Sequence, residues 1–478
     1  MTDIQETLAI APPRMDEGNI PDLIKVGEIQ SNMAMSVTSD VLDPIICNDN
    51  TCRFVLSNKG YLHDGSRITL AVKTNASVAS GAFFPLGIGV HSLIRRCTLR
   101  IGGVTVDEVD DYNFKKSYES MFLSNEMNKD RESVMSGRQM CHEFIYTNSA
   151  GSQSSIKANN YGLDAGVELN TATGDIKNRT FTDINNSPVF SVTLGELFNF
   201  LKGKNLPLFA MKQEVMIDLV FEPVSSTGRC SVDVNASSGT QFAIDTSEVK
   251  LVADYIFYDG AAMAQRLEQF MKTPTQFVYN DYRLTKTSLS VEAAKNSVRN
   301  LGGAGRIVTK IITGIFDDNR GDGYILNKYS AVAPARDYTN ASVELRKNGT
   351  LTTNIRMNDF FVFPIDLSNP AVLFDKTTRA QKSFPFVTRA EYSAEGDSIT
   401  PDTFHGRAQN ASTGLLGNFF YQAYKLPVGR VNSRGLELTT KVDSLPALAG
   451  GHTYTQRTWI EVEKVAELRD GFITVGFS

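Results

Sequence analysis

The chain has 478 residues, and 48 Lys and Arg against 53 Asp and Glu leave a formal net charge of −5. That balance excludes a strongly basic nucleic-acid coat. The length exceeds the roughly 250 to 300 residues at which a single core stops growing, so two domains are expected.

Residues 1–32 show no sustained hydrophobic period, and Pro12, Pro13, Arg14 and Pro21 favour an extended path. They are read as an assembly arm. The same stretch carries acids and prolines where a signal peptide needs a basic start and an apolar run, and no segment approaches the roughly 18 apolar residues of a membrane span. A soluble chain made in the cytoplasm is expected.

From about Met33 the pattern is alternation, the mark of half-buried strands. Ile68, Leu70 and Val72 share one face, and Cys97, Leu99 and Ile101 oppose Arg96, Thr98 and Arg100. Val215, Ile217, Leu219 and Phe221 alternate with Met216, Asp218 and Glu222, and Val249, Leu251, Ala253, Tyr255 and Phe257 line one side of the next run. After Gly260 the period changes: Met263, Leu267 and Phe270 recur at three or four, and Lys272-Thr273-Pro274 supplies a stop, predicting one short helix.

Strand patterns then resume. Ile307, Thr309, Ile311 and Ile315 form one expected row, Asn348-Gly349 marks a hairpin turn, and later strands are expected in Phe419 to Leu426, Gly435 to Val442 and Tyr454 to Val465. A faint internal echo, an aromatic-led strand running into an amphipathic stretch, links Tyr255 to Leu267 with Trp459 to Leu468. Long polar stretches, Thr147 to Pro188 and Ala390 to Gly414, are candidate surface decorations. The expectation is an all-β chain of two antiparallel sandwiches, read as jelly rolls: an arm at 1–32, a first unit at 33–259, a linking helix at 260–273 and a second unit at 274–478.

The motifs of enzymes are missing from the sequence. There is no HExxH, Gly-x-Ser-x-Gly or Walker loop, and Cys141-His142 would point to opposite faces of a strand. The five cysteines, Cys47, Cys52, Cys97, Cys141 and Cys230, have no CxxC spacing, so neither a closed disulfide framework nor zinc is expected and reduced thiols fit. Asp107, Glu108, Asp110 and Asp111 are read as a solvated acidic turn in preference to a calcium site. Asp317 to Gly323 lacks a calcium ligand at Gly321, and its Arg320-Gly321-Asp322 is read as a chance turn. Gly302-Gly303-Ala304-Gly305 is read as a flexible loop. No catalytic residue, metal or cofactor is expected, and no basic patch with interleaved aromatics supports direct nucleic-acid binding.

Leu206-Pro207-Leu208-Phe209-Ala210-Met211-Lys212-Gln213-Glu214-Val215 leading into a strand resembles the most recognisable stretch of double jelly-roll major capsid proteins from large eukaryotic DNA viruses, polinton-like viruses and virophages. Four further segments are similar to that family in the same order: Leu99 to Asp107 with Gly102-Gly103, Lys129 to Gly137, Val252 to Asp259 with the following helix, and Leu426 to Ser433. The resemblance implies two consecutive eight-stranded jelly rolls and a structural, non-enzymatic role. It further implies three chains forming a pseudo-hexameric homotrimer that contacts neighbouring capsomers and minor or penton proteins in an icosahedral virion. Mild acidity suggests an inner face that meets a membrane or minor proteins. The runner-up is a two-domain jelly-roll enzyme or lectin acting on glycans, which needs a cleft with paired carboxylates and Trp; the chain has one Trp, Trp459.

Overall fold

The computed structural model describes residues 35–74, 82–83, 88–120, 134–137, 189–224, 242–289, 295–318, 351–363, 367, 370–381, 421–427, 429–442 and 453–477, with short strands at 143–147, 153–157, 167–169, 176–178 and 231–232.

The first sandwich is organised by alternation. In Val215–Phe221, Val215, Ile217, Leu219 and Phe221 are buried while Met216, Asp218 and Val220 are half-buried. One face therefore seeks a core, and the strand takes the centre of a five-stranded sheet ordered Ile46–Cys47, Thr51–Leu56, Val215–Phe221, Ile94–Ile101, Val104–Asp110. The facing sheet runs Phe190–Thr193, Arg67–Leu70, Leu251–Tyr258, Tyr61–Leu62, Leu206–Pro207, with Met35–Leu42 paired along the whole of Leu251–Tyr258. Every pairing is antiparallel, and the first strand lies beside the last, the wrapped order of a jelly roll. Phe54, Leu70, Leu99, Ile217, Leu251 and Tyr255 meet between the sheets. The expected Ile68, Leu70, Val72 row is buried throughout, but the chain leaves the sheet at Ala71 and Val72–Thr74 pairs instead with Phe242–Ile244.

The hairpin of Ile94–Ile101 and Val104–Asp110 turns at Gly102 and Gly103, whose φ values are +57° and +82°. Two consecutive left-handed residues match the twist of the strands they join, and only glycine adopts that pair without strain. The Thr147 to Pro188 stretch contributes Gln153–Lys157, paired with Glu143–Thr147, and a small ribbon of Val167–Leu169 with Ile176–Asn178.

A helix at Gly260–Lys272 follows, with Leu267 and Phe270 packed partly against the first core. The second sandwich opens with Thr275–Leu289, paired residue for residue with Tyr454–Arg469. Its first sheet continues through Val308–Asp317 to Tyr421–Lys425, and Phe472–Phe477 folds back on Tyr454–Arg469. The facing sheet runs Lys295–Gly302, Leu436–Val442, Leu351–Met357, Phe360–Phe361. Ile311, Ile315, Phe316, Tyr424, Leu436 and Trp459 fill the space between them.

Three expectations change in this half. A bulge between Val308 and Lys310 shifts the register, so Val308 is buried while Ile307 and Thr309 are half-buried; the expected row starts only at Ile311. The Gly302 to Gly305 run is a built turn: Gly302, Gly303 and Gly305 are left-handed, and the Gly305 N–H donates to the Val431 carbonyl at 2.8 Å. Trp459 to Leu468 lies within one uninterrupted strand, so the echo of Tyr255 to Leu267, half of which is helix, does not extend to it.

The two cores interlock. A 15-residue strand spans about 50 Å at roughly 3.3 Å per residue, longer than one sandwich needs. The long Thr275–Leu289 and Tyr454–Arg469 ribbon therefore carries Tyr279, Ala466 and Leu468 into the first core, joined there by Ile473. Ile88, Phe114 and Tyr118 return the exchange by packing into the second.

Candidate assembly surface and the seam between the sandwiches

The seam is anchored where the acidic run after Gly103 meets the second sandwich. Arg457 Nε donates to Asp111 Oδ2 at 2.9 Å and its Nη2 to Asp318 Oδ1 at 3.0 Å, while the guanidinium carbon lies 3.8 Å from the Phe114 ring centroid. Lys286 adds a second cation 2.8 Å from Asp111. Trp459 Nε1 donates to the Asp110 carbonyl at 3.4 Å, and the Tyr279 hydroxyl to the Val106 carbonyl at 2.6 Å.

Asp107 is fully buried and accepts the Phe200 N–H at 2.8 Å. Burial pushes its carboxyl up to about 7, with the nearby Asp281 charge adding to the rise. The expected solvated acidic turn is thus corrected: Asp107 and Asp111 both face inward, because strand alternation turns Asp107 toward the sandwich interior and the left-handed Asp111 swings its side chain into the seam. Among the described residues no group of three metal-ligating side chains converges.

A cavity of about 740 Å³ opens along the seam, lined by Lys116, Glu119, Glu196, Lys204, Tyr282 and Glu461 among others. Its acids are matched: Lys116 lies 3.1 Å from Glu196, Lys310 3.1 Å from Glu461 and Lys115 2.6 Å from Glu119. Burial pushes each of these carboxyls up, but the lysines outweigh it and hold all three below the usual range, Glu119 at about 2. A general acid works with a pKa near the working pH. These carboxylates are ionised braces: Glu461 with Lys310 between strands, Glu196 with Lys116 between helices and Glu119 with Lys115 within one helix. Trp459 is buried in the second core, away from the cavity lining, so the glycan-cleft reading finds no support.

The outer surface is where apolar groups stand free. Met35–Leu42 is an edge strand, paired among the described residues only with Leu251–Tyr258. Edges are usually blunted by charge or proline. Here Met35, Val37 and Val41 point outward at 58%, 57% and 62% exposure, continued by Ile45 and Ile46. A second patch is a hairpin tip: Asn358 and Asp359 are left-handed, and Phe360 and Phe361 that follow are 76% and 61% exposed. The turn is fixed, with the Asn432 N–H donating to Asn358 Oδ1 at 2.7 Å and Asn432 Nδ2 to Asp359 at 3.1 Å.

Neither patch is singled out by the sequence. Val37 and Val41 look like any half-buried strand, and only Asn358-Asp359 between apolar neighbours signalled a turn. Pro12, Pro13, Arg14 and Pro21 lie outside the described residues, as do Cys141-His142, Arg320-Gly321-Asp322, Asn348-Gly349 and residues 390–414. Among the described residues no helix is long and apolar enough to cross a membrane.

Residues 60–259 match the family model described as the N-terminus of the major capsid protein. No curated protein matches the chain. Among solved structures it is similar to a chain of the Sputnik virophage, at 12% identity and a TM-score of 0.56, covering 92% of this chain and 88% of that one. A chain of the PBCV-1 virus capsid gives 14% identity, a TM-score of 0.50 and coverage of 94% and 97%. The Faustovirus major capsid protein gives 10%, 0.50 and coverage of 91% and 90%. At such identities the structural likeness is one of fold, and that fold is the double jelly roll.

Proposed function

We propose, from the premise that this chain is a double jelly-roll major capsid protein, that three copies associate into a pseudo-hexameric capsomer and that capsomers tile an icosahedral shell. The carrying observation is the apolar edge of Met35, Val37 and Val41 running into Ile45 and Ile46. Patches of this kind mark protein–protein contact, and an outward apolar edge strand left bare in a monomer invites aggregation. Two similar sandwiches per chain give six around a threefold axis, and obligate contacts of this class bury on the order of 2,000 to 5,000 Å².

In this reading residues 1–32, with Pro12, Pro13, Arg14 and Pro21, form an arm beneath neighbouring capsomers. Units at 33–259 and 274–478, joined by a helix at 260–273, stand side by side in the capsomer. The Thr147 to Pro188 and Ala390 to Gly414 stretches decorate the outer crown. Minor or penton proteins and a membrane meet the inner face, the chain is made in the host cytoplasm, and assembly rather than catalysis is its work.

Size-exclusion chromatography with light scattering tests this. A stable mass of three chains is expected; a monomer at micromolar concentration would overturn the trimer.

A further inference from the structure

The family role leaves the cysteines without a task, and two of them face each other. Ile46–Cys47 pairs antiparallel with Thr51–Leu56, and the register places Cys47 directly opposite Cys52. The Asn48 N–H donates to the Thr51 carbonyl at 2.9 Å, and Asn48 Oδ1 accepts the N–H groups of Asn50 and Thr51, each at 2.9 Å, so the turn between the cysteines is held. The bonded Asn48 and Thr51 pair makes the next pair outward, Cys47 and Cys52, the non-hydrogen-bonded one. At that position opposed Cα atoms stand about 4.5 Å apart with side chains on the same face. Disulfides span Cα separations of about 4.4 to 6.8 Å.

We propose that Cys47 and Cys52 form a reversible cross-strand disulfide by exchange with a low-molecular-weight disulfide such as oxidised glutathione. The two thiols divide the labour. Cys47 is part-exposed and Cys52 is buried. The neighbouring Cys52 thiol pulls Cys47 below its ordinary thiol pKa; Cys47 in turn, with burial, pushes Cys52 well up.

Cys47 thiolate attacks one sulfur of oxidised glutathione, forming a mixed disulfide and releasing one glutathione thiolate. Cys52 then loses its proton to solvent and attacks the Cys47 sulfur, forming the intrachain bond and releasing the second glutathione. The protein loses two electrons and two protons, and one glutathione disulfide becomes two thiols.

Cys97 is excluded as a partner. It sits across the Val215–Phe221 strand from Cys52, both registered to Leu219, so two strand spacings of about 10 Å in all separate them. Its sulfur also donates to the Leu197 carbonyl at 3.3 Å in a fully buried site. The bond would pin the hairpin beside exposed Ile45 and Ile46, whose turn already ties to the Phe242–Ile244 strand through Asp49, the acceptor of the Ile244 N–H at 2.8 Å.

The full-length chain, and a form carrying Cys141→Ser and Cys230→Ser, are equilibrated with oxidised or reduced glutathione, alkylated in denaturant and digested with trypsin. Residues 26–53 form one tryptic peptide holding both cysteines. After oxidised glutathione that peptide is expected lighter by two hydrogens and unalkylated, reverting fully with reductant, while Cys97 alkylates in both states. Cys52→Ser is expected to stop at a glutathione adduct on Cys47, and Cys47→Ser to leave Cys52 unmodified, with native alkylation at Cys52 at least about tenfold slower than at Cys47. Two alkylated cysteines in the oxidised peptide, a persistent Cys47 adduct while Cys52 is present, or a link to another cysteine would each overturn the proposal.

Discussion

Arg457 and Asp111 form an ion pair across the two sandwiches, Nε to Oδ2 at 2.9 Å, with both side chains less than a tenth exposed. The pair joins the last long strand of the chain to the turn that ends the Gly102-Gly103 hairpin. Phe114 stacks under the guanidinium and Lys286 supports the carboxylate from the side. Removing one partner leaves the other charge buried, so Asp111→Ala is expected to lower unfolding stability by about 3 to 5 kcal/mol. Replacing both, Asp111→Leu with Arg457→Met, is expected to regain most of that loss. Urea denaturation of the wild type and the two variants checks it: a double variant as unstable as Asp111→Ala would show that Arg457 matters through Phe114 and Asp318 instead.

Gly102 holds the C-terminal hairpin at one remove. A Cβ at this left-handed residue would lie 2.3 Å from the Gln213 amide, whose Oε1 accepts the Ile473 N–H at 2.8 Å; at Gly103 nothing lies within 4 Å. Gly103→Ala is therefore expected to cost only the left-handed strain, about 1 to 2 kcal/mol. Gly102→Ala carries that strain and displaces Gln213, so it alone should raise hydrogen exchange at the Ile473 amide. Equal exchange in the two variants would uncouple the turn from the hairpin.

That coupling shows where the sequence is legible and where it is silent. The Val215–Phe221 alternation and the change of period at Gly260 are local, and each predicted its element within a residue or two. Gly102-Gly103 was readable as a turn, because two positive φ values demand it. The use of Gln213 to clasp Ile473 joins residues 260 positions apart and leaves no periodic trace. Asp107 and Asp111 misled for a related reason: an acidic run reads as solvated until a second sandwich covers it. The Val308 bulge likewise moved half of an expected row, since register depends on the neighbouring strand. In the proposed capsomer Met35, Val37 and Val41 face a neighbouring chain, which this chain's own pattern cannot reveal.

Those three residues give a prediction separable from folding. Val37→Asp with Val41→Asp alters two side chains that stand more than half exposed on an edge strand. Surface changes of this kind usually move stability by less than about 0.5 kcal/mol. Charges placed in an apolar contact stay unpaired there, so light scattering is expected to find single chains with an unchanged urea midpoint. A trimer that survives both charges would move the contact elsewhere, with Phe360 and Phe361 the next surface to alter.

Asp107 makes stability depend on pH in a direction opposite to the usual carboxylate. Its folded pKa, about 7, lies above the unfolded value near 3.9, so the folded chain keeps a proton that the unfolded chain releases. Below about pH 4 both states are protonated and the residue contributes no penalty. Between about pH 4 and 7 its contribution falls by roughly 1.4 kcal/mol per unit, and above 7 the penalty is constant. Asp281, itself raised by burial despite Lys464 at 2.7 Å, keeps a like charge nearby, while Lys115 and Lys464 offset part of it. Glu119, Glu196 and Glu461, held low by lysines, slope the other way and lose their contribution as pH falls. They are common to wild type and Asp107→Asn and cancel in the difference. Stability of wild type minus that of Asp107→Asn is therefore expected to decline from about pH 5 to 7 and level off by about pH 8. Urea midpoints across that range measure it, and a flat difference would mean that the Asp107 carboxyl is already ionised at the seam.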